Sequence, residues 1–397
     1  MRTILTTFFF LMVFSTGNAQ TQTFARGADV SWCTEMENDG KKFYNAQGTE
    51  CEFFFLMRQI GMNAVRLRVW VNPENEYGPW CDKADVLVKA KRAKAQGLNI
   101  MIDFHYSDRF ADPGQQYKPA AWTDYSQEQL KTAVANHTTD VLSALKAEGI
   151  EPLWVQVGNE TRSGMIFDEG KIDWNKSGAA VWNGYIALSN AGYDAVKSVL
   201  PDAKVIVHID KGQEDNVWFF NAFKQYGGKF DMIGLSHYPD WTNWSSDNTK
   251  TANNIQTLYT QFKVPVMIVE TGYSSGDESR AASVMTDLFN KTASLSACAG
   301  IFYWEPEVYG SWKPAIYNTW GWNAYGSGAF TSQGKPSAAL EPFKDPTLNI
   351  GEDITADASS DNSPTAWYDL QGKSLDTPHK GVVIKKQGKK TDKLVIP

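Results

Sequence analysis

Short apolar runs recur along the chain, and longer amphipathic segments separate them. The amphipathic segments carry apolar residues at helical spacing, as in residues 83–96, 127–148 and 183–200. Glycines follow the first two segments, at positions 97 and 149, which is typical of a helix C-terminus. The apolar runs resemble strands that are buried on both faces of a parallel sheet. We predict eight such strands, at residues 26–31, 63–70, 98–105, 153–158, 204–208, 232–236, 264–270 and 299–304.

The alternation of strands and helices predicts one parallel sheet with right-handed crossovers. Eight strand–helix units within residues 20–346 fit an α/β protein of the (β/α)8 TIM barrel class with enlarged loops. A doubly wound open sheet is the alternative. That architecture normally carries a glycine-rich phosphate-binding loop after its first strand, and the sequence has no such loop.

Two of the predicted strands end abruptly on a glutamate, Glu160 and Glu270. An ionised carboxylate at the end of a buried strand is costly to desolvate unless it is paired or used in catalysis. In a (β/α)8 barrel the carboxyl ends of all strands meet at one mouth, where the catalytic residues lie. The two glutamates are therefore candidates for the carboxylate pair that cleaves a glycosidic bond. The alternative is two structural glutamates, each in a salt bridge.

Polar and aromatic side chains follow most of the other predicted strands. One such residue at a strand end is often structural, but a whole ring of them is difficult to explain by packing alone. The candidates are Arg68, Asp103, His105, Asn159, His208, His237, Tyr238 and Trp304.

The composition is that of a globular protein with many aromatic residues. Of the 397 residues, 42% are hydrophobic and 21% are charged, and the formal net charge of −7 argues against nucleic acid as a partner. The chain contains 15 Trp, 16 Tyr and 21 Phe residues. Aromatic faces stack on the apolar faces of sugar rings, although large barrels also use aromatic residues in their cores.

The first 19 residues have the features of a signal peptide. Arg2 supplies a positive charge, residues 4–14 are largely apolar, and the small residues 17–19 provide a cleavage site. The apolar stretch is too short to span a membrane. We therefore expect export, to a secreted, periplasmic or cell-surface location.

Four cysteines are present: Cys33, Cys51, Cys81 and Cys298. None lies in a CxxC pair, so the sequence indicates no zinc site. Cys298 opens an apolar run and is expected to be a buried free thiol. A disulfide bond among the other three stays open, because export permits one and four cysteines allow three complete pairings.

The character of the chain changes after residue 346. Residues 347–364 are rich in Asp, Ser, Ala and Thr, which is typical of a linker. Short β-like pieces follow, so residues 365–397 are predicted to form a small β tail. This tail resembles the C-terminal β tails of many exported Bacteroidetes proteins, some of which are sorting signals. A short β extension that packs on the barrel is the alternative.

Six motifs occur in a fixed order along the predicted barrel. They are GADVS at 27–31, RLRVWVNP at 66–73, DFHYSD at 103–108, ADPGQQ at 111–116, VQVGNE at 155–160 and YWEP at 303–306. In this order they resemble the endo-β-1,4-galactanases of glycoside hydrolase family 53, over residues 27–342. Asn159-Glu160 and the strand-end Glu270 are similar to the wider clan of retaining (β/α)8 glycosidases, whereas DFHYSD and RVW resemble the galactanases in particular.

The resemblance implies retaining endo-hydrolysis of β-1,4-galactosidic bonds in galactan and type I arabinogalactan, which are side chains of pectin. It implies a double displacement in which Glu160 is the acid/base and Glu270 the nucleophile. A retaining pair has its carboxyl groups about 5–5.5 Å apart, close enough that one stays protonated while the other is ionised. The polysaccharide is then the expected partner, and we expect a monomer.

The resemblance also suggests roles for the other strand-end side chains. Arg68 is expected to reach Glu270 and keep it charged, and Asn159 to hydrogen-bond the sugar 2-hydroxyl. Tyr238 is expected to orient Glu270, and Trp304 to form the floor of the sugar site. The remaining candidates for sugar binding, support of the glutamates or more distant platforms are Asp103, His105, His208, His237, Trp70, Trp122 and Trp241. A purely structural role is the alternative for each.

One segment departs from the family. Many bacterial members carry a longer acidic loop after the nucleophile strand, and that loop binds calcium. Here residues 270–278 lead almost directly into a predicted helix and offer few carboxylates, whereas calcium needs six to eight oxygen ligands. We predict no metal and no other cofactor.

Two other functions stay open. Another retaining endo-glycanase of the same clan, such as a mannanase or a xylanase, would share the glutamate pair. A non-catalytic sugar-binding barrel would share the fold, although such proteins usually lose a catalytic carboxylate and this sequence keeps both. An activity screen on galactan, mannan and xylan separates these functions.

Overall fold

Eight parallel strands close into a barrel, and each strand pairs with its neighbours in the sequence. The computed structural model describes residues 23–73, 78–321 and 326–344, and short strands beyond residue 364. The predicted signal peptide and the predicted linker at residues 347–364 lie outside these described residues. The barrel strands are β1 (Ala25–Asp29), β2 (Ala64–Val69), β3 (Asn99–Phe104), β4 (Trp154–Val157), β5 (Lys204–Ile209), β6 (Met232–His237), β7 (Val266–Thr271) and β8 (Cys298–Trp304). The predicted (β/α)8 barrel is therefore confirmed.

Helices connect the strands on the outside of the barrel. The helix Gln127–Ala147 begins with a capping box, in which Ser126 and Gln129 each bond the other's backbone N–H. The helix Lys83–Ala95 is capped by Asp82, whose side chain accepts a hydrogen bond from the backbone N–H of Asp85. The helices are α1 (Cys33–Asn38), α2 (Phe53–Ile60), α3 (Lys83–Ala95), α4 (Gln127–Ala147), α5 (Asn183–Val199), α6 (Val217–Gln225), α7 (Trp244–Phe262), α8 (Glu278–Thr292) and α9 (Ala315–Trp320).

The inner surface of the barrel changes from apolar to charged along the strands. Each strand contributes a buried residue to one interior cluster: Ala25, Ala64, Met101, Trp154, Ile206, Met232, Met267 and Phe302. Side chains alternate along a strand, so the residue two positions later also points inward. On four strands this next residue is Arg66, Asp103, Gln156 or His208, and all four are buried. The sequence thus places a polar layer directly beneath the mouth of the barrel.

A β-bulge in β7 determines where Glu270 points. Leu235 of β6 pairs with Ile268, but the next residue, Ser236, pairs with Glu270, so Val269 is an additional residue in β7. Val269 belongs to the apolar interior cluster. Strict alternation would therefore direct Glu270 outward, and the bulge turns its carboxylate into the barrel.

The chain divides into two compact units, residues 1–348 and 349–397. The second unit contains a four-stranded antiparallel sheet in the order Ser374–Leu375, Thr365–Tyr368, Gly381–Gln387 and Lys390–Ile396. The sequence predicted short strands in this region. A role of this sheet in sorting stays a prediction.

All four cysteines lie in the part of the chain that the structure describes, and all four are free thiols. Cys298 is buried, as predicted. Within the same described residues, no helix combines the length and the apolarity that a membrane span requires.

Candidate active site

The two strand-end glutamates meet at the mouth of the barrel. Beyond the end of β4, Gly158 and Glu160 both have left-handed backbone conformations, with φ of 90° and 46°. A non-glycine residue in this conformation is strained, and such strain is concentrated at functional sites. Glu270 is only 5% exposed. A carboxylate oxygen of Glu160, one of Glu270 and a ring nitrogen of His208 all lie within 4.8 Å of one another.

Glu270 is held by three side chains. Its Oε1 lies 2.8 Å from Nη2 of Arg66. Its Oε2 accepts hydrogen bonds from the hydroxyl of Tyr238 at 3.2 Å and from the hydroxyl of Ser236 at 3.3 Å. These contacts favour the ionised carboxylate, and the expected orienting contact of Tyr238 is present.

The surroundings separate the pKa values of the two glutamates. Burial raises the pKa of Glu160 well above its usual range, and the negative charge of Glu270 raises it further. Burial also raises the pKa of Glu270, to about 7, but the guanidinium of Arg66 opposes that shift. Among the described residues, Glu270 has an ion pair and Glu160 has none. Glu270 is therefore the first of the two to lose its proton, while Glu160 keeps its own.

Arg66 is the centre of the polar layer. Its Nη1 lies 2.7 Å from Asp29, and its Nη2 lies 2.8 Å from both Asp103 and Glu270. The same guanidinium donates hydrogen bonds of 2.8 Å to the side-chain oxygens of Gln156 and Asn159. Arg66 thereby connects β2 with β1, β3, β4 and β7 in a site where it is fully buried.

The expectation that Arg68 reaches Glu270 is wrong. Arg68 lies one inward position further along β2, and its Nη1 pairs with Glu305 at 2.6 Å. Its guanidinium carbon lies 4.3 Å from the ring centre of Trp32 and 4.4 Å from that of Phe110. Arg68 therefore forms a structural salt bridge in an aromatic enclosure, which was the stated alternative, and Arg66 fills the predicted role.

Asp103 and His105 form a supporting pair. The Nε2 of His105 lies 2.9 Å from Asp103, and its Nδ1 accepts a hydrogen bond of 2.9 Å from the backbone N–H of Ala111. The proton therefore lies on Nε2, and burial lowers the pKa of His105 so that the ring is neutral. Burial would raise the pKa of Asp103, but Arg66 and His105 outweigh it and hold that pKa at about 2.

His208 and Ser236 link the polar layer to both glutamates. The Nδ1 of His208 accepts hydrogen bonds from the side chain of Gln156 at 3.0 Å and from the backbone N–H of Glu160 at 3.3 Å. Its Nε2 therefore carries the proton and donates a hydrogen bond to the hydroxyl oxygen of Ser236 at 2.8 Å. Burial lowers the pKa of His208 far below its usual range. The ring is therefore neutral, as one accepting and one donating nitrogen require.

Asn159 and Trp304 lie beside the glutamate pair. The amide oxygen of Asn159 accepts from Arg66, and its nitrogen donates to the backbone oxygen of Ala111 at 2.8 Å. These contacts fix the orientation of the amide and leave it one further N–H. Trp304, half-buried at the end of β8, meets the ring of Tyr238 edge to face, with 6.3 Å between ring centres.

Three predicted site residues lie elsewhere. His237 points out of the barrel, where its ring nitrogens bond Asn248 and Thr251 of α7. Trp122 is buried against His137 of α4, and Trp70 is buried in the core. The prediction that these three side chains contact the sugar is therefore wrong. Trp241 remains exposed and stacks on Tyr273, with 5.3 Å between ring centres.

Sequence reasoning missed several members of this site. Asp29, Arg66, Gln156 and Ser236 all contact the glutamates or their partners. Each is a polar residue of a barrel strand, and each follows an inward apolar position of that strand at a spacing of two or four. That alternation was the available signal.

The glutamates and His208 bring three potential metal ligands together. Both nitrogens of His208 are already occupied by hydrogen bonds. In the loop after β7, the carboxylate of Asp277 accepts from the backbone N–H of Arg280 at 3.0 Å and pairs with that arginine's side chain at 3.4 Å. The ring nitrogens of His208 and the carboxylate of Asp277 are therefore committed to protein contacts.

Chelation is expected to leave both activity and the melting temperature unchanged. The physical reason is that a calcium ion would have to break the Asp277 cap of α8 and would still find few carboxylates. The measurement is cleavage of galactan and thermal unfolding with and without EDTA. A loss that added calcium restores would contradict this expectation.

The comparisons with known proteins agree with this geometry. A family model described as Glycosyl hydrolase family 53 matches residues 25–283. The arabinogalactan endo-β-1,4-galactanase of Cellvibrio japonicus is 36% identical over 265 residues, covering 65% of this chain and 68% of that protein. The endo-β-1,4-galactanase of Bacillus subtilis is 31% identical over 313 residues, covering 71% and 70%.

Comparison with solved structures indicates the same family. A structure from a study of two fungal β-1,4-galactanases superposes with a TM-score of 0.67 at 28% identity, covering 80% of this chain and 98% of that chain. The family model extends over the first seven barrel strands and both glutamates, and by these similarities the chain belongs to glycosyl hydrolase family 53.

Proposed function

We propose that this protein hydrolyses internal β-1,4-galactosidic bonds of galactan and type I arabinogalactan with retention of configuration. The observation that carries the proposal is the asymmetry between two adjacent carboxyl groups. Glu270 is paired with Arg66, whereas burial and the charge of Glu270 keep Glu160 protonated. The names of the relatives from Cellvibrio japonicus and Bacillus subtilis support galactan as the substrate.

In the first step, the ionised carboxylate of Glu270 attacks the anomeric carbon of the bound galactose. Glu160 gives its proton to the glycosidic oxygen, and the chain beyond that oxygen leaves as an alcohol. A covalent ester then joins the sugar to Glu270. The approach of the carboxylate oxygens to within 4.8 Å supports this retaining geometry.

In the second step, Glu160 is ionised and acts as a base. It takes a proton from water, the oxygen of that water attacks the anomeric carbon, and the bond to Glu270 breaks. Glu160 regains its proton, and Glu270 regains its charge. The hydroxyls of Tyr238 and Ser236 and the guanidinium of Arg66 stabilise the departing carboxylate.

Two neighbours are proposed to bind the central sugar. Asn159 has one amide N–H left for the 2-hydroxyl, an interaction that strengthens toward the transition state. Trp304 offers an aromatic floor beside Tyr238. Asp103, His105 and His208 are proposed to act indirectly, because their polar atoms contact protein partners around Arg66 and Glu160.

The experiment for this function is a comparison of β-1,4-galactan, mannan and xylan as substrates for the purified protein. We expect oligosaccharides to be released from galactan alone. A falling viscosity before reducing ends accumulate would indicate internal cleavage. Preferential release from mannan or xylan would contradict the substrate, and no release from any of the three would favour a sugar-binding protein.

The proposed substrate agrees with the proposed export. A pectic polymer is too large to enter a cell intact, so an endo-acting enzyme has to meet it outside the cytoplasm. Residues 1–19 have the signal-peptide features that this requires. Cell fractionation is expected to recover a shortened chain outside the cytoplasm, and an uncleaved cytoplasmic chain would contradict the proposal.

A further inference from the structure

Within the barrel residues that the structure describes, exposed aromatic rings are confined to one end. Among the described residues, the exposed aromatic side chains are Tyr117, Trp174, Trp218, Tyr238 and Trp241. All five lie between the end of a barrel strand and the first turn of the following helix, on the segments that follow β3, β4, β5 and β6, so they lie at the end of the barrel that holds the glutamates. An exposed ring contributes little to the core, and its concentration on the catalytic face points to a ligand.

Trp174 and Trp218 form a pair on this face. They are 64% and 42% exposed, their ring centres are 6.1 Å apart, and their planes differ by 53°. The buried ring of Trp182 supports Trp174 edge to face at 5.9 Å, and the buried ring of Phe219 supports Trp218 at 5.8 Å. The two exposed rings are therefore held in place before any ligand binds.

The pair is connected to the loop that carries Glu160. Trp174 lies between β4 and α5, and Trp218 is the second residue of α6, after β5. Arg162, two residues beyond Glu160, pairs with Asp210 at 2.5 Å and bonds Asn216 at 2.5 Å. Asn216 directly precedes α6, so one hydrogen-bonded unit joins the acid/base loop to the base of Trp218.

We propose that Trp174 and Trp218 form a second sugar-binding patch, which stacks on the galactan chain on the leaving-group side of the cleaved bond. The side follows from Glu160, because the acid/base faces the glycosidic oxygen and the pair lies on the segments that follow its strand and the next strand. The two tilted rings present apolar faces to successive sugar units. This inference rests on the proposed function.

The test uses two substrates with the variants Trp174→Ala, Trp218→Ala and their combination. On long β-1,4-galactan, we expect kcat/KM to fall roughly five- to tenfold for each ring, because one apolar contact with the chain is lost. On an aryl β-galactobioside, whose leaving group is too short to reach the patch, we expect a change of less than about twofold. Val88→Ala, an exposed apolar position on the flanking helix α3, is the control and should match the wild type on both.

Affinity electrophoresis in galactan-containing gels provides a readout without catalysis. The wild type should be retarded, and the double variant should migrate faster with an unchanged melting temperature. Equal losses of rate on both substrates, or unchanged kinetics and migration on galactan, would overturn the patch. A wild type that is retarded but cleaves nothing would contradict the proposed function and leave the patch supported by the retardation that the double variant loses.

Discussion

Cleavage of galactan by a Glu160→Ala variant is expected to be roughly 10²–10⁴-fold slower than cleavage by the wild type, because the leaving oxygen loses its proton donor. A galactobioside with a dinitrophenyl leaving group needs no such proton. Its first step should be almost normal, and the covalent intermediate should then accumulate because no base activates water. Added azide needs no deprotonation, so it should restore turnover and give a β-glycosyl azide.

The Glu270→Ala variant should show the opposite stereochemistry. Without the carboxylate that Arg66 holds at 2.8 Å, no covalent intermediate can form on either substrate. Azide then attacks from the face that Glu270 occupied and gives the α-glycosyl azide. Product configuration is measured by NMR, and Glu128→Ala, at an exposed position on α4, is the matched control with wild-type rates.

The pair of results assigns both roles at once. Opposite azide configurations require one carboxylate on each side of the anomeric carbon. Wild-type rates in both variants would show that these residues are not the catalytic pair. The same configuration in both variants would remove the retaining mechanism while leaving the hydrolase class intact.

The second large effect is expected at Arg66. Arg66→Gln leaves Asp29, Asp103 and Glu270 buried without their shared cation. Breaking buried ion pairs in this way typically lowers the free energy of unfolding by about 3–5 kcal/mol. The pKa of Glu270 should also rise, because Arg66 opposes the effect of burial on this carboxyl. The acid limb of kcat/KM should therefore move to higher pH, since the nucleophile must be ionised.

Arg68→Gln, which removes the same charge one inward position further along β2, is the matched control for this prediction. Arg68 is also buried on β2, but it pairs with Glu305 rather than Glu270. Its replacement should reduce stability without moving the acid limb. If Arg66→Gln does not fold, Arg66→Lys keeps the charge but not the directed donors and should show a smaller shift in the same direction. An acid limb that moves in the Arg68 variant and stays in the Arg66 variants would contradict the assignment.

The barrel and its two glutamates could be predicted because both are local properties of the sequence. A run of apolar residues specifies a buried strand, and a carboxylate at its end stands out against that run. Which arginine meets Glu270 is not local. Arg66 and Arg68 both point inward, and the stagger between neighbouring strands decides which one lies at the height of the carboxylate.

The misplacement of His237 has a similar cause. Sequence reasoning named His237 as a candidate because it follows a predicted strand, and it passed over the adjacent Ser236. Alternation along β6 from the inward Met232 directs Ser236 into the barrel and His237 toward α7. The direction of a side chain along the strand was thus more informative than its chemistry.

The additional residue in β7 separates the position of Glu270 in the sequence from its position in the barrel. Val269 and Glu270 are neighbours in the sequence. Val269 packs in the apolar interior cluster, whereas the carboxylate of Glu270 lies beside Glu160 and His208 at the mouth of the barrel. If β7 kept its sequence but paired regularly through Val269, without the bulge, every catalytic side chain would still be present. The side chain of Glu270 would then face the surrounding helices. Activity would be lost through the direction of one side chain, with no change in the residues present.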